Sequence, residues 1–143
     1  SERGYHLTLE IGEKQLSRPV GWLDKAVYLT PMSDGVRLAG TAEFADADAP
    51  INPDRAATML EHAKVMLGQD PAIRSTWVGS RPSTPDSLPV IGLLEEHPRV
   101  SLAFGHGHLG LTLGAITGQL ISENIQGITS SVDLAPFSPT RFN

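Results

Sequence analysis

A cluster of glycines between a strand-like run and a helix-like run constrains the fold of this chain more than any other feature. Gly105-His106-Gly107-His108-Leu109-Gly110 follows a short apolar run at residues 100–104 and precedes helical apolar spacing over residues 111–125. It matches G-x-G-x-x-G, which in the dinucleotide-binding fold opens a domain that continues through several further βα units. Here the pattern lies near the end of the 143 residues, so we do not expect it to bind an ADP group.

The glycines have a physical use outside that fold. Glycine lets the backbone approach a flat or anionic ligand closely, and the start of the predicted helix, residues 110–113, presents backbone N–H groups and partial positive charge. Such a helix start stabilises negative charge on an anion or an electron-rich ring that lies beside it. The residues alone leave two interpretations open: a ligand-binding turn, and a tight strand-to-helix turn without a ligand.

Charge and composition exclude several classes of function. The chain has 16 acidic and 11 basic residues, a net charge of −5 and no basic block, so nucleic acid is not an expected partner. The absence of cysteine excludes disulfides, thiolate catalysis and cysteine-ligated metals. No apolar stretch reaches the roughly 18–20 residues of a membrane span, and no secretory signal is visible. Because a strand-like pattern follows Ser1 almost at once, we expect a piece of a longer polypeptide.

Local patterns predict strands in the first part of the chain, followed by a well-marked helix. Asn52 is a suitable N-cap, Pro53 suits the first helical position, and Gly68 ends the amphipathic run. Ser33-Asp34-Gly35 carries the residues of a hairpin turn. The predicted strands are residues 4–11, 27–30, 36–41 (with 42–44 as an extension), 73–79 and 100–104, the last of them fully buried.

His106 and His108 raise a second hypothesis for the glycine cluster. Side chains two residues apart in an extended segment point the same way and could share a metal ion. No carboxylate follows the pair before Glu123, and there is no cysteine. The usual ligand count is therefore not reached, and no metal site is predicted.

Arg81 lies at the end of a predicted strand, where a proline-rich loop begins at residue 82. A guanidinium can bind a carboxylate through two parallel hydrogen bonds, and neighbouring prolines lower the entropy cost of holding it in place. The alternative is an ordinary surface arginine paired with a nearby acid such as Asp86. For an isolated arginine, that alternative is the more common one.

Several motifs occur in a fixed order along nearly the whole chain, and together they resemble one family. They are residues 2–6, 37–43, 79–86 (Gly-Ser-Arg-Pro-Ser-Thr-Pro-Asp), 88–92, Gly105-His106-Gly107 with Gly110, and 117–120. This order and spacing resemble the C-terminal third of the D-amino-acid oxidase-like FAD oxidoreductases, and bacterial D-amino-acid dehydrogenases in particular. The resemblance to glycine oxidase and sarcosine oxidase is more distant.

The resemblance implies an α+β fold in two parts. Residues 1–98 would form a substrate-binding region with an antiparallel sheet and flanking helices. Residues 99–143 would contribute a terminal strand, glycine turn and helix to the FAD domain. The ADP-binding βαβ unit of the family would lie upstream of Ser1, so the isolated chain is expected to bind FAD weakly or not at all and to be inactive.

The resemblance also assigns site residues. Arg81 would clamp the substrate carboxylate, and Arg3, Tyr5 and His108 would be further substrate-binding residues. No catalytic side chain is implied, because a neutral amine needs no side-chain base when the flavin accepts the hydride. The backbone facing the pyrimidine edge of the isoalloxazine ring would be that of Gly105, His106, Gly107, His108, Leu109, Gly110, Leu111 and Thr112.

The implied reaction is oxidation of a D-amino acid, or of a related secondary amine or imino acid, to a 2-oxo acid. The implied partners are FAD, the amino-acid substrate, the rest of the parent chain and an electron acceptor. His108 replaces an arginine of glycine oxidase-like members, and Ala115-Ile116 departs from the Ala-Pro of some oxidases, which leaves oxidase or dehydrogenase open. A quinone-linked member would be cytoplasmic and lie on the inner face of the cytoplasmic membrane. The alternative function is a non-catalytic ligand-binding or interaction domain that retains the scaffold, with Arg81 binding a carboxylate ligand.

Overall fold

The computed structural model describes residues 1–11 and 16–142. The chain divides into two compact units, Ser1–Ser80 and Arg81–Asn143. This division falls earlier than the functional boundary predicted between residues 98 and 99. In both units the sheets contain antiparallel pairs, and each unit has one α-helix among its described residues, so the predicted α+β class is confirmed.

The first unit is a five-stranded sheet with one helix packed on it. Strand order is β2-β3-β4-β1-β5, with β1 antiparallel to β4, and β3 antiparallel to both β2 and β4. The elements are β1 (Glu2–Glu10), β2 (Val20–Trp22), a 3₁₀ turn at Leu23–Lys25, β3 (Val27–Met32), β4 (Gly35–Phe44), α1 (Pro53–Leu67) and β5 (Ala72–Arg81).

Alternation along the strands of the first unit sends one set of side chains into a core beneath α1. Leu7, Leu38 and Ala63 are fully buried there, and Met59 of α1 is 1% exposed. Adjacent residues of β1 point to the opposite face because side chains alternate across a strand. The hairpin predicted from Ser33-Asp34-Gly35 is also confirmed, except that Gly35 already pairs with Met32 and leaves two residues in the turn.

Helix α1 begins and ends where the local sequence predicts. The Asn52 side chain accepts a hydrogen bond from the Asp54 N–H at 3.0 Å, and Pro53 occupies the first turn. At the other end Gly68 adopts φ +66° and donates its N–H to the Lys64 carbonyl at 2.9 Å. These bonds satisfy backbone groups that the helix itself leaves unpaired.

The second unit contains an antiparallel pair, one helix and two short 3₁₀ turns. Its elements are β6 (Val90–Leu94), β7 (His97–Phe104), α2 (Gly110–Ile125) and 3₁₀ turns at Ala135–Phe137 and Pro139–Phe142. The prediction of a fully buried strand at residues 100–104 is wrong for this chain, since Val100 is 43% and Phe104 51% exposed. Within the described part of the unit β7 pairs only with β6, so much of its surface stays uncovered.

Helix α2 is apolar yet mostly exposed. Its buried residues are Thr117 and Leu120, whereas Leu111 is fully exposed and Ile125 is 66% exposed. Neither this helix nor α1 is both long and apolar enough to cross a membrane, in the part of the chain that the structure describes.

Candidate active site

The turn between β7 and α2 requires glycine at two positions. Gly105 has φ +80° and Gly107 has φ +54°, both in the region that side-chain-bearing residues rarely adopt. Gly105 is also buried, and a Cβ atom there would lie 2.6 Å from the Cγ2 atom of Thr84. The close packing of this turn against the proline-rich loop therefore depends on the absence of a side chain.

The segment that follows Arg81 is hydrogen-bonded to the glycine turn. The Pro82 carbonyl accepts the Gly107 N–H at 3.1 Å, and Ser83 pairs with His106 as an isolated antiparallel bridge. Arg81 itself is partly buried, and its carbonyl accepts the Ser83 N–H at 2.9 Å. Two regions that were predicted to be functional thus lie side by side within the second unit. They are the proline-rich loop of residues 82–89, which follows Arg81, and the glycine turn of residues 105–110.

Helix α2 starts with exposed and uncapped backbone donors. The first i→i−4 bond is that of the Leu113 N–H to the Leu109 carbonyl, at 2.9 Å. The N–H groups of Gly110, Leu111 and Thr112 precede it and have no acceptor inside the helix. Leu109 provides no side-chain cap, and the first turn contains no acidic residue. This end of the helix is therefore suited to an electron-rich group.

The two histidines of the glycine cluster have different surroundings. His106 is partly buried, and its Nε2 atom lies 2.9 Å from the Thr117 hydroxyl of α2. His108 is exposed on the turn. The described residues contain no group of three metal-ligating side chains that could hold an ion.

Arg3 and Tyr5 lie in the first unit, almost fully buried. The Arg3 Nη1 atom is 3.3 Å from the Oε1 atom of Glu43, and the Tyr5 hydroxyl donates to the same oxygen at 2.5 Å. The Tyr5 oxygen also accepts the Asn52 N–H at 3.1 Å. With exposures of 2% and 3%, these side chains could contact a substrate only by exchanging the bonds they make now.

Glu43 is the centre of this network and was not recognised as such from the sequence. Arg55 of α1 donates its Nε–H to the other carboxylate oxygen at 3.1 Å. The hydrogen bond from Tyr5, together with that from Arg55 and the charges of Arg3 and Arg55, holds the pKa of Glu43 below its usual value despite burial. Glu43 therefore ties β1, β4 and α1 together as a carboxylate.

The sheet face opposite the core carries a second set of residues that sequence reasoning missed. His6 stacks on Trp77 with ring centroids 4.9 Å apart, and it lies opposite Ala39 in the register. The pKa of His6 is lowered, mainly by burial and secondly by the positive charge of Arg37, while the negative charge of Asp34 acts in the opposite direction. The period-two alternation of β1 and β4 could have predicted this polar and aromatic face.

Comparisons with known proteins identify the family. A family model described as FAD dependent oxidoreductase (DAO) matches residues 1–124. The chain belongs to this family of FAD-dependent oxidoreductases. It is 41% identical to a D-amino-acid oxidase of Bradyrhizobium diazoefficiens over 99% of this chain and 35% of that protein. It is 31% identical to a D-amino acid dehydrogenase of Xanthobacter autotrophicus over 98% of this chain and 34% of that protein.

Solved structures agree with this assignment. The crystal structure of glycine oxidase from Geobacillus kaustophilus matches with a TM-score of 0.84 at 26% identity, over 98% of this chain and 38% of that chain. Iminodiacetate oxidase from Chelativorans sp. BNC1 shares the fold, with a TM-score of 0.82 at 22% identity over 96% of this chain and 39% of that chain. The chain spans about a third of the length of the curated relatives it matches.

The residues present fit the cofactor of the DAO family. The uncapped N–H groups at the start of α2, with no acidic side chain in its first turn, are compatible with the electron-rich pyrimidine edge of a flavin. The positive φ angles and missing side chains of Gly105 and Gly107 keep the adjoining backbone close to its neighbours.

Proposed function

We propose that this chain is the C-terminal portion of an FAD-dependent enzyme that oxidises D-amino acids to 2-oxo acids. The proposal is supported by relatives named D-amino-acid oxidase and D-amino acid dehydrogenase, which align with almost the whole chain. The observation that carries it is the hydrogen bond from the Gly107 N–H to the Pro82 carbonyl. That bond joins the backbone expected to face the flavin to the segment that begins at Arg81.

Arg81 is the residue that we assign to the substrate carboxylate. A guanidinium can donate two parallel hydrogen bonds to a carboxylate, which fixes both the position and the orientation of the α-carbon. Proline at position 82 has a fixed φ and restricts the backbone of the residue before it, Arg81.

The backbone of residues 105–112 is assigned to the pyrimidine edge of the flavin. FAD, when bound, supplies the acceptor for the hydride that leaves the substrate α-carbon. The resulting substrate imine is then hydrolysed to a 2-oxo acid and ammonia. The N–H groups at the start of α2 stabilise negative charge beside them by about 0.3–1 kcal/mol or more when solvent is excluded. Their role is electrostatic and needs no side-chain base.

Three further residues keep the substrate-binding role predicted for them. His108, exposed on the glycine turn, is free to contact a polar substrate side chain. Arg3 and Tyr5 are held by Glu43, so we rank their contribution below that of Arg81. The proposed reaction does not require any of these three side chains to act as an acid or a base.

We further propose that the remaining part of the protein covers the apolar surfaces left exposed in the second unit. Leu111 is fully exposed, and Phe104 and Ile125 are more than half exposed, which is costly for a surface facing water. Residues 99–143 would then complete the FAD domain, and residues 1–98 would form the substrate region. The electron acceptor and any contact with the inner face of the cytoplasmic membrane belong to that complete protein.

The direct test uses the complete protein, obtained by extending the reading frame upstream of Ser1. We expect it to purify with FAD and to oxidise D-amino acids. The Arg81→Ala variant should keep its FAD but raise the KM about 30- to 1000-fold, corresponding to about 2–4 kcal/mol for the loss of a carboxylate partner. The matched control is Arg99→Ala, because Arg99 is an exposed arginine of β7 in the same unit.

The proposal fails if the complete protein holds FAD but oxidises no amino acid. It also fails in its assignment of Arg81 if Arg81→Ala and Arg99→Ala have the same KM. The 143-residue chain alone is expected to show no turnover and little or no flavin absorbance, because it would supply only a minority of the contacts to the cofactor.

A further inference from the structure

The last turn of the chain is bonded to the proline-rich loop through a single arginine. Arg141 donates from Nε and Nη2 to the two carboxylate oxygens of Asp86, at 2.7 and 3.1 Å. Its Nη2 atom also donates to the Leu88 carbonyl at 2.7 Å. Its Nη1 atom donates to the carbonyls of Phe137 and Ser138 at 3.2 and 3.1 Å. One guanidinium thus joins two segments that lie 55 residues apart.

This contact differs from an ordinary surface ion pair. The Arg141 side chain is only 12% exposed, and the geometry with Asp86 is bidentate, which is the stronger and more directional form. The hydrogen bonds from Arg141, and secondarily from the Leu88 N–H and Thr84, hold the pKa of Asp86 well below its usual value. The carboxylate therefore stays ionised throughout the pH range in which an enzyme is assayed.

The loop itself depends on such side-chain bonds. Proline at positions 82, 85 and 89 removes three backbone donors from eight consecutive residues. The Thr84 hydroxyl donates to the Leu88 carbonyl at 2.7 Å, and the Ser87 N–H donates to the Thr84 carbonyl at 3.1 Å. Ser87 has φ +62°, a conformation that a non-glycine residue keeps only when its surroundings enforce it.

The 3₁₀ turn Pro139–Phe142, which contains Arg141, also packs directly against β6, the strand that follows the proline-rich loop. A Cβ atom placed on Gly92 of β6 would lie 3.3 Å from the Cδ atom of Pro139. The loop is therefore held at its start by the bond from Gly107 to Pro82 and farther along by Arg141. Arg81 immediately precedes the first of these contacts.

We propose that Arg141 is a positioning residue, which holds the loop of residues 82–89 and so keeps Arg81 in place to bind the substrate carboxylate. This inference rests on the proposed function of Arg81. If the loop samples other conformations, only the fraction of molecules with Arg81 in place binds the carboxylate, and the apparent dissociation constant rises by the inverse of that fraction. The effect is confined to ligands that carry the carboxylate.

The test compares Arg141→Ala with Arg99→Ala in the complete protein loaded with FAD. We expect Arg141→Ala to raise the KM for D-alanine about 5- to 30-fold, with a smaller change in kcat. The inhibition constant of propanoate should rise by the same factor, whereas that of the uncharged propanamide should not change. Arg141→Lys should reverse less than half of the rise in KM that Arg141→Ala causes, because an ammonium group cannot bind Asp86 in the bidentate geometry.

A second measurement protects the test against a variant that folds poorly. Asp86→Asn keeps the shape of the side chain while removing the charge, and hydrogen exchange at the amides of Ser83, Thr84 and residues 86–88 reports the order of the loop directly. We expect exchange there to become faster in Asp86→Asn and Arg141→Ala, but not in Arg99→Ala. The Asp86→Asn variant should also raise the KM for D-alanine.

Two results would overturn the inference. In the first, the KM for D-alanine and the inhibition constant of propanoate in Arg141→Ala both stay within twofold of their values in the unsubstituted protein. The other is an equal shift for propanoate and propanamide, which would indicate a general structural defect. Failure of the proposed function is distinguishable from these two results, because the unsubstituted protein would then bind FAD without oxidising amino acids. Such a failure would also overturn the role of Arg141 in carboxylate binding.

Discussion

The contact between the glycine turn and the proline-rich loop predicts a specific cost for adding one methyl group. Gly105→Ala places a side chain at φ +80°, which costs about 1–2 kcal/mol. The new Cβ would lie 2.6 Å from the Thr84 Cγ2 atom, and overpacking of this kind adds about 1–3 kcal/mol. We therefore expect Gly105→Ala to lower the free energy of unfolding by about 2–5 kcal/mol in total.

Two variants separate these contributions in the same urea-unfolding assay. Gly127→Ala is the matched control, because Gly127 lies in the same unit at φ +68° with nothing within 4 Å of its Cβ position; it should cost only about 1–2 kcal/mol. Thr84→Ser removes the Cγ2 atom and retains the hydroxyl that bonds to Leu88. Combined with Gly105→Ala, it should bring the loss back to about 1–2 kcal/mol.

A Gly105→Ala variant that is no more destabilised than Gly127→Ala would contradict the expected clash with Thr84. A failure of Thr84→Ser to recover any of the lost stability would contradict it as well, because contact with the loop would then not be the cause. Either result would mean that the turn and the loop do not pack as closely as described.

Two further predictions concern the first unit. Because the folded-state pKa of Glu43 is lowered from about 4.5, its contribution to stability is complete above that pH and is lost as the pH falls through the lowered pKa. Melting temperatures measured from pH 7 to pH 3 should therefore fall more steeply for the unsubstituted protein than for Glu43→Gln, and parallel curves would contradict the network around Tyr5. Leu38→Ala should cost about 2–5 kcal/mol in urea unfolding, because Leu38 is fully buried. Leu23→Ala is the comparison, at a side chain that is 76% exposed, and a similar loss in both variants would argue against the core beneath α1.

The parts of the fold that sequence predicted are those with local signals. Helix α1 carries its own cap residues at both ends, and the β3–β4 hairpin carries its own turn, so neither needs distant contacts to be recognised. Strands β2 and β6 were missed because they are short, at 3 and 5 residues, and β6 directly follows a proline-rich loop. The exposure of β7 could not be predicted, because a continuous apolar run does not reveal what covers it.

Some residues of the candidate site could likewise be predicted from local sequence, and others could not. The glycine turn and Arg81 lie in recognisable motifs, so they could be singled out by residue type and spacing. The Glu43 network and the bond between Arg141 and Asp86 join residues 38 and 55 positions apart. No local pattern connects such residues, since only the folded chain brings them together.

In the proposed enzyme the backbone at the start of α2 faces the electron-rich edge of the flavin. Hydrogen exchange in the complete protein, compared with and without FAD, tests this most directly. We expect FAD to slow exchange at the amides of Gly110, Leu111 and Thr112, which have no acceptor inside the helix, far more than at residues 119–125 near the other end of the same helix. Unchanged exchange at these three amides, in a protein that has demonstrably bound FAD, would contradict the assignment of this backbone to the flavin.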